Sequence, residues 1–530
     1  MIPGHVLLVL HGHLPFVRHP EHPDFLEEDW LFEAISEVYV PLLAALDRLS
    51  AEGVPFQLGF TISPTLASML ADPLLRARYT ARLDATCALA EAEAARTART
   101  DTAFAEAARH HRDRLHAVRA QYHGTYGGDL LAAFRRLEAA GHLELLTCTA
   151  THGFLPVLRG EPSSVRAQVA VAVQAHRALL GRAPRGIWLA ECGYFPGVEA
   201  VLAEHGLRAF FLDAHGLWRG TPAPVFGVYQ PVLTPSGVAA FGRDPACSEQ
   251  VWSAEVGYPA DPDYLEFHVD LAHHVDAARL RPYLNPDTGR RLTGLRYHRV
   301  TGREGPKAPY RPDAARARAE AHAAHFLSER ERQLDELARA IAPREPLVLA
   351  PYDAELFGHW WAEGPVFLES LLRRAARSPN VHFTGPLAYL ERFPEQQVLR
   401  PAESSWGARG DASTWIGPSS DWMYRHLHEA ARRMVAAAGA HASATGVARR
   451  ALQQAARELL LAQSSDWAFI LHTGTAPGYA ARRFREHVGA VLGLLDQLEA
   501  GGVDEPWLSA LEARNNLFPD IDPGVYRSTP

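Results

Sequence analysis

Short apolar runs alternate with segments of helical periodicity over most of the first 400 residues. Runs typical of buried strands lie at residues 6–10, 55–66, 142–150, 186–190, 208–214, 347–352 and 381–385. Apolar spacing typical of helices occupies residues 31–51, 164–180, 197–205 and 312–340. Repeated strand-then-helix units build parallel sheets with crossover helices. This many units therefore predict an α/β fold with a closed barrel, whose last strand is residues 381–385.

Two stretches of the chain lack strand candidates. Residues 78–140 are rich in Ala, Arg, Glu and His and predict a helical insert. Beyond residue 400, helical patterns lie at residues 425–438, 443–462, 479–498 and 506–514. A chain of 530 residues also exceeds what one hydrophobic core usually supports. We therefore predict a barrel domain over residues 1–77 and 141–400, the insert, and a C-terminal helical domain over residues 401–530, with irregular loops over the site at residues 217–305.

Composition argues against several classes of protein. The formal net charge is −8, and Lys307 is the single lysine. The arginines alternate with acidic residues instead of forming a basic stripe, so nucleic-acid binding is not predicted. No apolar run approaches the length of a membrane span. Because the N-terminus lacks the basic start of a signal peptide and no two cysteines form a CxxC pair, reduced thiols and a cytoplasmic location are expected. The cysteines are Cys87, Cys148, Cys192 and Cys247.

Two of the predicted strands end in a carboxylate. Glu191 follows the run in "GIWLAECGY", and Asp353 follows the run in "LVLAPYDAE". Residues at the carboxyl ends of parallel barrel strands face one cleft, so the two acids should converge. Each could instead be a helix N-cap at a strand-to-helix turn. The flanking aromatic and histidine side chains favour a sugar site, because sugar C–H faces stack on aromatic rings while acids act at the glycosidic bond. These flanking residues are Trp188, Tyr194, Tyr352, His359, Trp360 and Trp361.

Histidines follow two further strands. His11 and His13 lie in "HGHLP", and His152 lies in "THGFLP". They could be metal ligands, general bases or hydrogen-bond donors to a polar ligand, and each alone could be structural. Three histidines on predicted strand ends favour a shared cleft.

These segments resemble the signature regions of a known family. "HGHLP", "LELLTCTATHGFLP", "WLAECGY" and "PYDAELFGHWW" are similar, in the same order, to those of glycoside hydrolase family 57. "SSWG" and "SSDW" are similar to segments of the family's 1,4-α-glucan branching enzymes. The resemblance covers essentially the whole chain. It implies a (β/α)7 barrel, a distorted TIM-like fold, with an inserted helical domain and a C-terminal all-helical domain.

The resemblance also implies roles for individual residues. Glu191 matches the catalytic nucleophile and Asp353 the general acid/base of a retaining reaction, which would place the two carboxyl groups about 5 to 5.5 Å apart. The other matching positions are substrate-binding: His11, His13, His152, Arg243, Trp252, Ala260, Trp361, Trp406, Trp415 and Asp466. Core packing is the alternative for each tryptophan. No metal or other cofactor is implied.

Three further assignments accompany these roles. We assign Trp467 to the core, Trp360 to packing rather than the sugar path, and Glu355 to a supporting or helix-start position.

The implied activity is 1,4-α-glucan branching. Glu191 would attack the anomeric carbon of an α-1,4-linked glucan, and Asp353 would protonate the leaving oxygen. Transfer of the glycosyl group to a 6-hydroxyl would form an α-1,6 branch, as in glycogen biosynthesis, whereas transfer to water would be hydrolysis. An α-glucan hydrolase or a 4-α-glucanotransferase of the same family is therefore the alternative. The expected partner is α-glucan, and the expected assembly is a monomer or weak homo-oligomer.

Two departures from the family pattern bear on this choice. Branching enzymes of this type carry a longer loop with a tyrosine over the cleft, whereas here residues 221–237 are compact and contain only Tyr229. The family's "GYPG" is also "GYPA" here, with Ala260 in the last place. Since shielding of the intermediate decides between a hydroxyl and water, the compact segment leaves the ratio of branching to hydrolysis open.

Overall fold

The computed structural model describes residues 3–253, 256–285, 291–301 and 307–527. Its centre is a sheet of mostly parallel strands. The strands are β1 (Gly4–Gly12), β2 (Leu58–Ile62), β3 (Leu143–Cys148), β4 (Gly186–Trp188), β5 (Ala209–Leu212), β6 (Val232–Leu233), β7 (Ala239–Gly242), β8 (Leu347–Asp353), β9 (Val381–Phe383) and β10 (Gln397–Val398).

Seven parallel strands make the barrel, in the order β8-β1-β2-β3-β4-β5-β7. The ring closes just after β7, where Arg243 forms a parallel bridge with Leu349 of β8. The short strands β6 and β10 extend the sheet beyond β7, where β6 pairs with β7 in antiparallel orientation. The predicted (β/α)7 fold class is confirmed.

The burial of strand β1 explains why its hydrophobic pattern predicts a strand. All nine of its residues are buried, and its run is apolar rather than alternating. A central parallel strand is covered on both faces, so it reads as a continuous hydrophobic segment.

The prediction that residues 381–385 form the last barrel strand was wrong. Strand β9 pairs only with Gly4–Val6 at the start of β1, on the side that β2 occupies farther along the strand. Strand β8 already pairs with β1 on one side and contacts Arg243 on the other, so the ring has no place for a further strand.

Helices surround the barrel and follow it in the chain. Those up to residue 392 are α1 (Asp29–Ala34), α2 (Val40–Ala51), α3 (Pro64–Ala71), α4 (Pro73–Thr100), α5 (Ala105–Ala120), α6 (Leu130–Ala139), α7 (Leu155–Leu158), α8 (Pro162–Leu180), α9 (Val198–Glu204), α10 (Ala214–Trp218), α11 (Pro245–Trp252), α12 (Ala277–Leu280), α13 (Pro312–Ile341), α14 (Gly364–Ala375) and α15 (Pro386–Arg392). Those beyond are α16 (Asp421–Ala440), α17 (Gly446–Ala462), α18 (Ser465–Thr473), α19 (Pro477–Ala500) and α20 (Glu505–Arg514).

The helical stretches predicted from the sequence are present. Helices α4 and α5 pack against each other within the predicted insert, and helices α16 to α20 follow residue 400. Helix α18 was not predicted, because it is short and its pattern continues that of α17. None of the helices in the described ranges combines the length and the apolar character needed to cross a membrane. The exact domain boundaries remain a proposal.

Candidate active site

The polar residues at the strand ends meet at the carboxyl end of the barrel. His11 of β1 pairs in register with Asp353 of β8 on one side and with Thr61 of β2 on the other. Residues paired in register across a sheet lie on the same face, and neighbouring strands are about 4.8 Å apart. The first histidine and the second predicted acid are therefore direct neighbours.

Glu191 is held by two residues from beyond position 400. The indole N–H of Trp406 donates to Glu191 Oε2 at 2.8 Å, and the hydroxyl of Ser465 donates to Oε1 at 2.9 Å. The backbone N–H of Trp406 also donates to the Glu191 carbonyl at 3.0 Å. Both carboxylate oxygens thus have a fixed donor, which sets the orientation of the group.

The backbone at this site is strained. Four non-glycine residues of the described chain have positive φ, and three of them lie here: His152 at 58°, Glu191 at 62° and Cys192 at 50°. The left-handed region is unfavourable for residues with a Cβ, and such strain tends to cluster at functional sites. The turn after β4 therefore places the Glu191 side chain at an energetic cost that the surrounding contacts must offset.

A chain of hydrogen bonds leads from His11 to Glu191. His11 Nε2 lies 3.1 Å from His152 Nε2, and His152 Nδ1 lies 2.8 Å from the Ser465 hydroxyl oxygen. Because Ser465 donates to Glu191, it accepts from His152 Nδ1–H, which leaves His152 Nε2 to accept from His11 Nε2–H. Burial first, then the neighbouring histidines, holds the pKa of both His11 and His152 well below the usual range, in agreement with neutral rings.

His13 belongs to a second set of contacts. Its Nδ1 is 2.9 Å from the Ser63 hydroxyl, and its Nε2–H donates to Asp466 at 3.1 Å. Burial raises the pKa of Asp466, but interactions with His13, His152 and Ser464 together outweigh it and lower the pKa to about 2. Asp466 therefore stays ionised at the edge of the cleft, as a hydrogen-bond acceptor.

The histidines fit the hydrogen-bonding interpretation better than a metal site. Nitrogen and oxygen atoms of His13, His152 and Asp466 do cluster within 4.8 Å. However, the rings of His13 and His152 stack in parallel with centroids 3.7 Å apart, so their in-plane lone pairs run side by side instead of converging on one ion. The hydrogen bonds described above also already occupy His13 Nε2 and His152 Nδ1.

Asp353 lies in an environment that favours its protonated form. Burial raises its pKa well above the usual range, and the nearby charges of Glu355 and Glu191 raise it further, against the opposing effect of Arg243. Burial also raises the pKa of Glu355, to about 7. Carboxyl groups in such close, desolvated surroundings retain a proton more readily than they would in water.

Glu355 makes supporting hydrogen bonds to the site, as the sequence suggested. Its Oε1 accepts from the Tyr39 hydroxyl and from the backbone N–H of His13, the latter at 3.2 Å. It therefore links the segment after β8 to the histidine-bearing end of β1.

Trp406, which donates to Glu191, contacts both Arg243 and Trp252. The Arg243 guanidinium lies 5.8 Å from the Trp406 ring centroid and donates to Asp213 at 3.3 Å. Trp252 is 40 % exposed and meets Trp406 edge to face at 6.3 Å. These three side chains occupy the positions that the resemblance assigns to glucan contacts.

The prediction that Trp361 and Trp415 line the glucan path was wrong. Each is only 1 % exposed. Trp361 packs against Phe367 in the core, whereas Trp415 stacks on Phe154 beneath the loop that carries Trp406. Their surfaces are covered by other side chains, so neither can touch a ligand in the cleft.

Two other aromatic assignments have opposite outcomes. Trp360, which we assigned to packing, is 53 % exposed, whereas Trp361, which we assigned to the sugar path, is buried. Trp467 is fully buried, as predicted. Ala260 ends the short turn Tyr258–Ala260, and its substrate contact stays a prediction.

Three residues of the site were missed by the sequence argument. Ser63 follows β2 and caps α3, Tyr39 ends a π-helical turn (Ile35–Tyr39), and Ser465 begins α18. Ser63 carries the same signal as the acids, a polar residue at a strand end. Ser465 stood within the quoted "SSDW", but a serine there does not reveal that it contacts a residue 274 positions earlier.

Comparison with known proteins places the chain among glucan-active enzymes. Residues 7–401 match the family model for glycosyl hydrolase family 57, and residues 426–526 match the model for the C-terminal region of 1,4-alpha-glucan branching enzymes. A 1,4-alpha-glucan branching enzyme from Thermococcus kodakarensis is 34 % identical over 99 % of this chain and 79 % of its own length. A probable 1,4-alpha-glucan branching enzyme from Mycobacterium tuberculosis is 32 % identical over 95 % of this chain and 94 % of its own length.

Solved structures extend this similarity. The alpha-amylase AmyC from Thermotoga maritima is 39 % identical with a TM-score of 0.93, over 100 % of both chains. A family 57 branching enzyme from Pyrococcus horikoshii is 33 % identical with a TM-score of 0.89, over 99 % of this chain and 97 % of its own. The family model spans most of the sequence, and the relatives align along nearly all of it. The chain belongs to glycoside hydrolase family 57.

Proposed function

We propose that this chain is a 1,4-α-glucan branching enzyme that cleaves α-1,4 glucan with retention and transfers the released segment to a 6-hydroxyl. The observation that carries the proposal is the contact between Ser465 and Glu191. Ser465 lies in the part of the chain that matches the branching-enzyme C-terminal model, and it orients the carboxylate that the family resemblance assigns as nucleophile.

The two acids have environments suited to opposite roles. Glu191 receives two hydrogen bonds on its carboxylate oxygens, which favour the ionised, nucleophilic form, although burial raises its pKa overall. The raised pKa of Asp353 favours a proton available for the leaving oxygen. A pair of carboxyl groups with environments this different is the usual arrangement of a nucleophile and an acid/base.

The reaction then proceeds in two steps. The Glu191 carboxylate attacks the anomeric carbon and forms a glycosyl-enzyme bond, while the Asp353 proton passes to the departing oxygen of the glucan. Asp353, now ionised, accepts the proton of an incoming 6-hydroxyl, whose oxygen displaces Glu191 and forms the α-1,6 bond. Asp466 accepts from a hydroxyl of the bound sugar, whereas His13 and His152 orient Asp466 and Glu191 through the hydrogen bonds described above. The sugar contacts of His11, His13 and His152 stay a prediction.

Hydrolysis by the same site is the second candidate function, and the position of Tyr229 favours it. The Tyr229 carbonyl accepts from the backbone N–H of Leu347, the first residue of β8, whereas Asp353 is the last. Six residues of extended strand separate those ends by about 20 Å. The segment therefore brings no tyrosine over the cleft, and the similarity to an enzyme named as an alpha-amylase points the same way.

Linkage analysis of amylose after incubation separates these activities. We expect new α-1,6 linkages, together with a smaller rise in reducing ends caused by water reaching the intermediate. Reducing ends without α-1,6 linkages would show a hydrolase. A redistribution of α-1,4 chain lengths with neither product would show a 4-α-glucanotransferase.

Substitution of Glu355 by Gln tests its influence on Asp353. The amide keeps an oxygen for Tyr39 and His13 but removes a negative charge that raises the pKa of Asp353. A lower Asp353 pKa means that the acid loses its proton at lower pH. The alkaline limb of the kcat/KM profile should therefore move to lower pH. Tyr39→Phe removes a hydrogen bond that lowers the pKa of Glu355, so Glu355 keeps its proton to higher pH and the limb should move in the same direction by a smaller amount. An unmoved limb in Glu355→Gln would show that Glu355 acts on the site only by its hydrogen bonds.

The proposal also covers the cellular location, the assembly and the cofactor requirement of the enzyme. We infer a cytoplasmic role in glycogen synthesis, as a monomer or weak homo-oligomer that uses no metal or other cofactor. All four cysteines are buried and unbridged, which supports a reducing compartment.

A further inference from the structure

Trp360 presents an exposed ring beside the catalytic end of the barrel, with the half-buried Phe267 packed against it. Trp360 is 53 % exposed and lies 4.3 Å from Phe267, ring centroid to ring centroid, at an angle of 36°. Trp360 follows β8 at the end that carries Asp353, so the pair lies on the catalytic side of the barrel. A single exposed tryptophan is unremarkable, but an exposed tryptophan fixed by a second ring on this side of the barrel is a candidate binding surface.

Buried charged side chains contact these two rings and their neighbours. The guanidinium of Arg296 lies 4.7 Å from the Phe267 ring centroid, and Arg296 is 2 % exposed. Its Nη1 is 3.6 Å from Glu37, which in turn accepts from His359 Nδ1 at 2.6 Å. His359 directly precedes Trp360 and contacts its ring edge-on at 5.3 Å. This network of charged and polar side chains therefore fixes the position of Trp360 and Phe267.

The same anchor reaches the catalytic segment. Glu37 lies in the π-helical turn that ends with Tyr39, the residue whose hydroxyl donates to Glu355. The backbone N–H of Trp360 donates to the Glu355 carbonyl at 3.3 Å. Gly358 makes the approach possible, because a Cβ there would lie 1.9 Å from the Glu37 carbonyl oxygen. The aromatic pair therefore has a fixed position relative to the acids.

We propose that Trp360 and Phe267 form a glucan-binding platform outside the catalytic centre, a subsite for a more distant part of an α-glucan chain. The proposal rests on the proposed function. Sugar C–H faces stack on aromatic rings. Phe267 lies between Arg296 and Trp360, so it holds the tryptophan in place, and a sugar ring stacks on the exposed face of Trp360. The exposed His268, which contacts Phe267 edge-on at 5.2 Å, and His359 supply polar groups for sugar hydroxyls at the border of the platform.

The test measures binding without turnover. In a Glu191→Gln background, calorimetric titration with maltotriose and maltoheptaose gives the dissociation constant for a short and a long chain. We expect Trp360→Ala to weaken maltoheptaose binding about three- to tenfold, the effect of losing one stacking contact, with a smaller loss for maltotriose. Trp360→Phe should recover most of the affinity. In the otherwise wild-type enzyme, Trp360→Ala should raise KM for amylose more than it lowers kcat.

Trp218 offers a matched control. It is 52 % exposed and, like Trp360, follows a barrel strand, but no aromatic ring of the described residues packs against it. Trp218→Ala should leave both dissociation constants and the amylose KM unchanged. Equal losses for maltotriose and maltoheptaose in Trp360→Ala, or no loss for either, would overturn the platform. An absence of both binding and turnover in the parent proteins would instead refute the proposed function.

Discussion

Asp353→Asn is expected to lower kcat/KM on amylose about a hundred- to ten-thousandfold, the usual contribution of a general acid/base. Asparagine keeps the shape of the side chain but has no proton to give to the leaving oxygen. The same loss should appear in the formation of α-1,6 linkages and of reducing ends, because both products pass through the same first step. Rates of both products with purified wild type and variant check this.

A substrate with a good leaving group shows whether Asp353→Asn removes a proton donor or disrupts the site as a whole. Fluoride departs from an α-maltosyl fluoride with little need for a proton, so glycosyl-enzyme formation should be largely retained in Asp353→Asn. The second step would then be slow, and an initial burst of fluoride release should appear. If Asp353→Asn shows no burst of fluoride release and its first step is slowed as much on the fluoride as on amylose, Asp353 is not the acid.

Glu191→Gln is expected to lower activity at least about a thousandfold on both substrates, because no covalent intermediate can form without a nucleophile. The amide oxygen can accept from Trp406 while the amide nitrogen donates to the Ser465 hydroxyl, which can turn to accept. Because burial raises the pKa of Glu191, the ionised carboxylate lowers the free energy of unfolding at neutral pH, so the neutral amide should not decrease it. Single-turnover kinetics and thermal unfolding of the same protein check the two effects.

A matched serine variant distinguishes orientation from nucleophilicity. Ser465→Ala removes one of the two hydrogen bonds to Glu191 and the acceptor of His152, but leaves the nucleophile in place. We expect a loss well below that of Glu191→Gln. Comparable losses in the two variants, with unchanged stability, would mean that Glu191 does not form the covalent bond.

The positions of Glu191 and Asp353 at strand ends could be predicted from sequence because the signal is local. Each acid follows a short apolar run, and parallel strands in a barrel carry their carboxyl ends to the same side. His11 and His152 obey the same rule, and the register between β1 and β8 makes His11 a direct neighbour of Asp353. The residues that orient Glu191 obey no such rule. Trp406 is 215 positions away in the sequence, and only packing of the chain beyond residue 400 against the barrel brings it near.

The burial of the two adjacent tryptophans, Trp360 and Trp361, could not be predicted from the local sequence. They follow a single 3-10 turn (Ala354–Leu356), after which the backbone has no period that would assign one ring to the core and the next to solvent. Whether each ring is buried depends on its tertiary contacts. Trp361 packs against Phe367 in the core, whereas Trp360 contacts Phe267 and keeps one side exposed. Tyr229 is a similar case, because its position at the start of β8 depends on the course of a segment without regular pattern.

The sequence by itself determined the barrel, the helical C-terminal region and the two acids, because hydrophobic period and strand direction act over a few residues. Tertiary structure alone decided which aromatic rings reach the cleft, which donors hold Glu191, and where Tyr229 lies. It also decided the proton affinity of Asp353, since that depends on burial and on Glu355 and Glu191 close in space. Burial and contacts between distant residues arise only when the whole chain is folded, and no short window of sequence contains them.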